Sequence, residues 1–358
     1  MKLNQIINGN CIEVMKTIKD QSIDLVFADP PYNLQIQNEL HRPDQSKVHG
    51  VSDDWDKFSS FDNYDKFTKN WLKECKRILK ETGTLWTIGS YHNIFRVGYI
   101  IQNLGFWILN DVVWLKTNPM PNFKGTRFTN AHETLIWASK SKNAKYTFHY
   151  DAMKSLNGEK QMRSDWALPI CNGKERLKLN GEKVHPTQKP ESLLSRIVLS
   201  TTNPGDTILD PFFGSGSTGA VAKKYGRNWI GIESNQKYIL QAEKRINNIN
   251  RLNDNEIEVT KSKKHEKRIP FGALLERGLL QPGEVLFDGR KKWFAKVRAD
   301  GSVISDNSKG SIHSVGAKVQ GLPACNGWTF WNVEIKGQTI SIDSLRSFVR
   351  NEVISHNY

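Results

Sequence analysis

Residues 207–225 constrain the fold more than any other stretch. Thr207-Ile208-Leu209-Asp210 is apolar enough for a buried strand, and Pro211-Phe212-Phe213-Gly214-Ser215-Gly216 then breaks it with two glycines. Residues 217–225 suit a helix, and Gly226 stands where that helix is predicted to end. A strand feeding a helix through a glycine turn is the building unit of an open α/β sheet. The same alternation fills the first 250 residues. Further strands are predicted at 23–28, 84–88, 107–114, 134–138 and 229–233. Over 64–79, Phe67, Trp71, Leu72, Cys75, Ile78 and Leu79 share one helical face, and Thr82-Gly83 punctuates the passage to the next strand. The predicted fold is α/β, a doubly wound and mostly parallel sheet.

Two motifs fall at the carboxyl ends of these strands, where open α/β sheets bind ligands. Asp29-Pro30-Pro31-Tyr32 follows the strand at 23–28. It is either a proline-rich turn or a rigid acceptor pair. Two prolines fix the backbone so that the Asp29 carboxylate and the Pro30 carbonyl can receive one planar amine, with Tyr32 as a stacking face. In the second motif Gly214, Gly216 and Gly219 satisfy G-x-G-x-x-G, with Glu233 at the end of the next strand to accept from ribose hydroxyls. A nicotinamide dinucleotide meets those requirements too. The preceding Asp210 and Phe212 suit instead an adenosine bearing a charged amino acid, as in S-adenosylmethionine. A third motif, His185-Pro186-Thr187-Gln188-Lys189-Pro190, precedes a predicted helix. It is either a proline-bearing cap or a place where Thr187 and Lys189 hold the cofactor carboxylate.

Charge points to a polyanion. The 358-residue chain carries a formal net charge of +14, and residues 261–358 hold 16 basic against 9 acidic side chains, half of the whole surplus. That tail changes texture: short strands with Asp288-Gly289 and Asp300-Gly301 turns predict a small, mainly β domain over 269–358. A basic linker is expected at 251–268, and the catalytic domain at 1–250. Within the latter, the polar stretches 33–60 and 146–183 show little periodicity and are expected to be structureless, DNA-contacting insertions. The four cysteines have no Cys-x-x-Cys spacing and the nine histidines are dispersed, so neither a disulfide framework nor a metal site is expected. No apolar run reaches membrane-spanning length, and the polar start does not suit a secretory signal; a cytoplasmic location is expected.

Asp29–Tyr32, His185–Pro190 and Phe212–Gly216 resemble the catalytic and cofactor motifs of amino-directed DNA methyltransferases. Their order, catalytic motif first, resembles the β subgroup, a circular permutation of the S-adenosylmethionine-dependent methyltransferase fold. Tyr91-His92-Asn93-Ile94-Phe95-Arg96, Asn118-Pro119-Met120-Pro121-Asn122-Phe123, Asn130-Ala131-His132-Glu133-Thr134 and Asn326-Gly327-Trp328-Thr329-Phe330-Trp331 are similar to the bacterial cell-cycle-regulated adenine methyltransferases. The resemblance spans nearly the whole chain. It implies methylation of adenine in GANTC sites of double-stranded DNA, a sheet with one reversed strand, homodimers on DNA and a place at the bacterial nucleoid. It also implies catalytic roles for Asp29, Pro30, Pro31 and Tyr32, and cofactor roles for Asp210, Phe212, Gly214, Gly216, Glu233, Thr187 and Lys189.

For DNA contact, Arg42, Lys47, Lys116, Asn118, Lys124 and Arg127 are expected in the catalytic domain. Arg290, Lys292, Ser314, Lys318, Trp328 and Trp331 are expected in the tail, its tryptophans stacking on exposed bases and residues 311–321 forming a loop against the DNA backbone. The competing readings are a cytosine amino methyltransferase, a non-catalytic DNA-binding protein on the same scaffold, and a nicotinamide oxidoreductase.

Overall fold

The computed structural model describes residues 2–34, 40–41, 47–48, 56–122, 125–179, 181–258, 268–306 and 308–355. They divide into two units, Met1–Lys261 and Ser262–Tyr358.

In the first unit the strands are β1 (Gln5–Asn8), β2 (Ile23–Ala28), β3 (Leu40–His41), β4 (Lys47–Val48), β5 (Leu79–Gly89), β6 (Trp107–Lys116), β7 (His132–Ser139), β8 (Asp165–Leu168), β9 (Lys178–Leu179), β10 (Glu182–Lys183), β11 (Thr207–Asp210) and β12 (Asn228–Glu233). The helices are α1 (Cys11–Lys16), α2 (Phe61–Ile78), α3 (Ile94–Asn103), α4 (Tyr150–Leu156), α5 (Glu191–Thr201), α6 (Ser217–Lys224), α7 (Gln236–Asn247) and α8 (Asp254–Ile257). Eight strands form one sheet in the order β1-β12-β11-β2-β5-β7-β6-β8; β3–β4 and β9–β10 are small hairpins. All neighbours are parallel except those of β7, which runs against both β5 and β6.

Strand periodicity sends alternate residues to opposite faces. On β2, Val26 and Ala28 pack with α1, α2 and α3, whereas Leu25 and Phe27 pack with α5, α6 and α7. The sheet is therefore doubly wound. From β2 the chain crosses through α2 to β5 on one side; from β11 it crosses through α6 to β12 on the other. The order thus reverses between the adjacent strands β2 and β11, which is where such sheets bind ligands.

Two expectations need correction here. Thr82-Gly83 does not end a strand-free passage: β5 begins at Leu79 and shifts register against β2 between Ile23 and Leu25. A Cβ on Gly83 would stand 3.0 Å from the Ile23 carbonyl oxygen, so the bulge depends on glycine. Residues 146–183 are not a structureless insertion. They supply α4 and the edge strand β8, and Trp166 is buried against Trp86, with ring centroids 5.9 Å apart.

The second unit contains α9 (Gly272–Glu276), β13 (Val285–Phe287), β14 (Phe294–Val297), β15 (Val303–Ser305), β16 (Ser308–Gly310), α10 (Ile312–Gln320), α11 (Gly327–Phe330), β17 (Asn332–Ile335), β18 (Gln338–Ser341) and α12 (Ile342–Ser355). Its antiparallel sheet runs β16-β15-β14-β13-β17-β18. Residues 311–321 prove to be helix α10 rather than a loop. Ser311 caps it, accepting from the Ser314 N–H, and Ile312 and Val315 bury its apolar face. Trp328 and Trp331 lie inside this unit's core; Trp331 is fully buried and its Nε1 donates to the Ile312 carbonyl at 2.9 Å. The bases they were expected to stack on cannot reach them.

Candidate active site

A cavity of about 350 Å³ opens at the carboxyl ends of β1, β2, β11 and β12. Asp29, Pro30, Pro31, Tyr32, Thr187, Phe212, Gly214 and Glu233 line it together with Asn10, His185 and Tyr238. The tetrapeptide is anchored from behind. Asp56 accepts from the backbone N–H groups of Tyr32, Asn33 and Leu34 at 2.6 to 2.9 Å. Tyr64 on α2 donates from Oη to the Pro31 carbonyl at 2.8 Å. Among the described residues the Pro30 carbonyl accepts no hydrogen bond, and Pro30 lines the cavity beside Asp29.

On the cofactor side, the Glu233 carboxylate accepts from the Gly214 N–H and the Asn235 N–H, both at 2.8 Å. Each oxygen keeps lone pairs for a ribose diol. Gly214 has φ 50°, and a Cβ there would meet the His185 ring at 3.1 Å. This cradle accepts a ligand only against bare backbone. Burial drops the His185 pKa to about 3, keeping its imidazole neutral. A polar acid for ribose, an aromatic at Phe212 and a volume of this size fit an adenosyl amino acid.

Three cofactor expectations change. Asp210 does not line the cavity. Its carboxylate accepts from the Phe212 N–H at 3.0 Å and from Thr218 Oγ1 at 2.6 Å, which shapes the glycine turn. Gly216, with φ 72°, caps α6, and a Cβ there would press within 2.8 Å of Ala242; it serves close packing. Lys189 sits with Asp29 rather than with the cofactor residues: its Nζ lies 2.7 Å from Asp29 Oδ2.

Lys189 belongs to a buried tetrad. Its Nζ is also 3.9 Å from Glu133 Oε2, and Lys116 Nζ is 2.8 Å from Glu133 Oε1. Tyr32 Oη donates to Glu133 Oε2 at 3.1 Å, and the Lys189 ammonium lies 5.3 Å from the Tyr32 ring centroid. Burial pushes the Asp29 pKa upward and Lys189 opposes it. Burial likewise works against ionised Glu133, but Lys189 and Lys116 outweigh it and hold that carboxyl below its usual range. From sequence, Glu133 falls within Asn130–Thr134 with no role assigned to it. No local motif marks it; it reaches the site because β7 is reversed, which brings that strand's start to the edge where β2 and β6 end. Lys116, expected on DNA, is instead mostly buried against Glu133.

Lys116, Glu133 and Lys189 of this tetrad line a second, wider cleft of about 870 Å³, together with Arg127, Arg176, Lys178, Lys183 and the fully protruding Phe128. Arg127 is exposed beside Tyr91, and Asn118 accepts from the Ile170 N–H. Arg42, Lys124 and the Lys47 side chain lie outside the described residues. In the second unit Arg290, Lys292, Ser314 and Lys318 are exposed, Lys292 lying 4.4 Å from the Trp293 ring centroid. No cluster of three or more metal-ligating side chains occurs among the described residues, and no helix there is long and apolar enough to cross a membrane.

Two carboxylates, Asp29 and Glu233, line one cavity at the switch point of a doubly wound sheet, an arrangement suited to a nucleotide-like cofactor, and the chain belongs to the DNA methylase family, whose model matches residues 23–244. A second model, Restriction Enzyme Adenine Methylase Associated, matches residues 253–353. The chain is 52% identical over 351 residues to the Type II methyltransferase M.HinfI of Haemophilus influenzae, covering 98% of each protein. It is 43% identical over 249 residues to the Type II methyltransferase M2.DpnII of Streptococcus pneumoniae, covering 69% of this chain and 91% of that one. Among solved structures it resembles the M1.HpyAVI–SAM complex, with 29% identity and a TM-score of 0.51 over 68% of this chain and 98% of that one. PvuII DNA methyltransferase (cytosine-N4-specific) shares the fold, with 23% identity and a TM-score of 0.53 over 70% of this chain and 89% of that one.

Proposed function

We propose that the protein transfers a methyl group from S-adenosylmethionine to the exocyclic amine of adenine in double-stranded DNA. The observation that carries this reading is the pairing of the Asp29 carboxylate with the Pro30 carbonyl in two residues that line the same cavity as Glu233. An exocyclic amine is a feeble nucleophile because its lone pair is delocalised into the ring. Two acceptors aimed at its hydrogens favour a tetrahedral nitrogen and stabilise the positive charge that develops on it. Bound S-adenosylmethionine supplies the methyl group. Glu233 holds the ribose, while Thr187 and Phe212 border the remainder of the donor.

A duplex hides the target nitrogen, so the base must leave the stack at a cost of a few kcal/mol. The wide basic cleft beside Asp29 is the entry for it, with Arg127 placed for phosphate. In the second unit, exposed Arg290, Lys292, Ser314 and Lys318 serve the DNA backbone. The description Restriction Enzyme Adenine Methylase Associated supports adenine as the target, as does the aspartate that begins the tetrapeptide. The similarity of Asn118–Phe123, Asn130–Thr134 and Asn326–Trp331 to the cell-cycle-regulated enzymes supports GANTC as the site. It also supports a homodimer on DNA and action at the bacterial nucleoid.

Labelled S-adenosylmethionine and plasmid DNA, followed by nucleoside analysis and site mapping, test the reading. N6-methyladenine confined to GANTC is expected; N4-methylcytosine or an unmodified plasmid overturns it. Asp29→Ala should lose turnover by at least about a hundredfold, the scale of a missing transition-state acceptor, while binding the cofactor as wild type does.

A further inference from the structure

The tetrad that includes Asp29 brings two carboxylates and two ammoniums into one mostly buried place, and its other three members do not line the cavity of Glu233. We infer that Lys189 is a positioning residue for methyl transfer: it keeps Asp29 ionised and aimed, and it shifts toward Glu133 when the target amine takes its place. The inference rests on the reading of Asp29 as the amine acceptor.

Asp29 cannot act as an acceptor on both oxygens unless it is charged. Its carboxyl is mostly buried at the end of β2, its side chain 16% exposed, and an isolated carboxylate so desolvated tends to take up a proton. The groups facing it are Lys189 from the segment before α5, Glu133 from β7, Tyr32 from its own turn and Asp210 from the neighbouring β11. Of these only Lys189 is a cation, and its ammonium lies 2.7 Å from Oδ2. Arg176 on the cleft side and the neutral His185 on the cofactor side stand near Lys189.

A lysine bound solely to Asp29 would compete with the substrate for that oxygen. Glu133 resolves the competition. Its Oε2 already lies 3.9 Å from the same Nζ, so a small rotation of the lysine stem exchanges one carboxylate for the other. Lys116 and Tyr32 hold Glu133 in place for this exchange, at 2.8 and 3.1 Å. The tetrad is neutral as a set, which is the condition for keeping charges out of water at tolerable cost. Lys189 itself does not line the cavity of Glu233.

The decisive measurement is kcat/KM for duplex DNA against pH, which reports ionisations of the free enzyme, with cofactor affinity measured alongside. In Lys189→Met, Asp29 is deprived of its counter-ion and keeps the ionised Glu133 beside it. Activity at about pH 6 relative to about pH 8 should then fall on the order of tenfold below the wild-type ratio. Lys189→Arg should restore that ratio. Glu133→Gln removes a negative neighbour, so its acid limb should move the opposite way, to lower pH, with a lowered plateau because Lys189 now has a single seat.

Affinity for S-adenosylmethionine should stay within about twofold in all three variants, a change worth less than 1 kcal/mol. Opposite displacements of the two acid limbs establish the role, since a merely structural defect would lower both curves without moving either. If Lys189→Met does not fold, Lys189→Gln, which also lacks the charge, takes its place with the same expected fall in the ratio. Unmoved limbs in an active wild-type background, or a loss of cofactor affinity in Lys189→Met, overturn this inference and leave the proposed function standing. A wild-type protein that transfers no methyl group defeats both.

Discussion

Asp210 carries a carboxylate into the apolar end of β11, and burial pushes its pKa from 3.8 up to about 7, against the opposing hydrogen bonds from Thr218 and the Phe212 N–H. The folded state therefore binds a proton that the unfolded chain releases at lower pH. The associated stability is full below the unfolded value and disappears as pH rises through the folded one, a change on the order of 4 kcal/mol. Asp210→Asn cannot titrate. The difference in melting temperature between this variant and wild type should move in the variant's favour as the solution is taken from about pH 5 to about pH 8. A difference independent of pH contradicts this account. Residues of this kind explain why motif positions resist assignment by type. An aspartate in front of a glycine turn has the right chemistry for a cofactor, but whether its oxygens face the ligand or the turn depends on where Thr218 falls after α6 has formed.

Helices α10 and α11 show how packing converts an expected binding surface into a core. Gly316 lies so close to Cys325, Phe330 and Trp331 that a Cβ there would meet the first at 3.0 Å. That approach seats Trp331 beneath α10, where its ring and indole N–H are both satisfied. Trp331→Ala should destabilise the second unit by about 3–5 kcal/mol, read from urea denaturation. A shift below about 1 kcal/mol, with a specific loss of DNA binding, would return the ring to the surface role first expected of it. Long periodic elements were legible from spacing: α2 buries Tyr64, Thr68, Trp71, Leu72, Cys75 and Ile78 along one face, close to the predicted stripe. β8 was not legible. Four residues carry no usable period, and they hold as a strand because β6 offers an open edge and Trp86 offers a neighbour for Trp166.

For the whole molecule, charge predicts behaviour that individual pairings do not. Half of the surplus positive charge lies in residues 261–358, and Arg290, Lys292 and Lys318 are exposed there. Deleting residues 269–358 should weaken DNA binding and reduce the slope of log affinity against log salt by roughly 0.9 for each phosphate that these residues neutralise. Unchanged affinity and slope would remove DNA binding from this unit's duties. By itself the sequence determined the alternation of strand and helix, the tetrapeptide and the glycine turn, because each is a local pattern written within a few consecutive residues. Only the tertiary structure decided that Lys189 faces Asp29, that Glu133 and Lys116 join them, and that two tryptophans lie inside. These pairings join residues far apart in the chain. The direction of β7 and the closeness of the packing create them, and neither can be read from spacing.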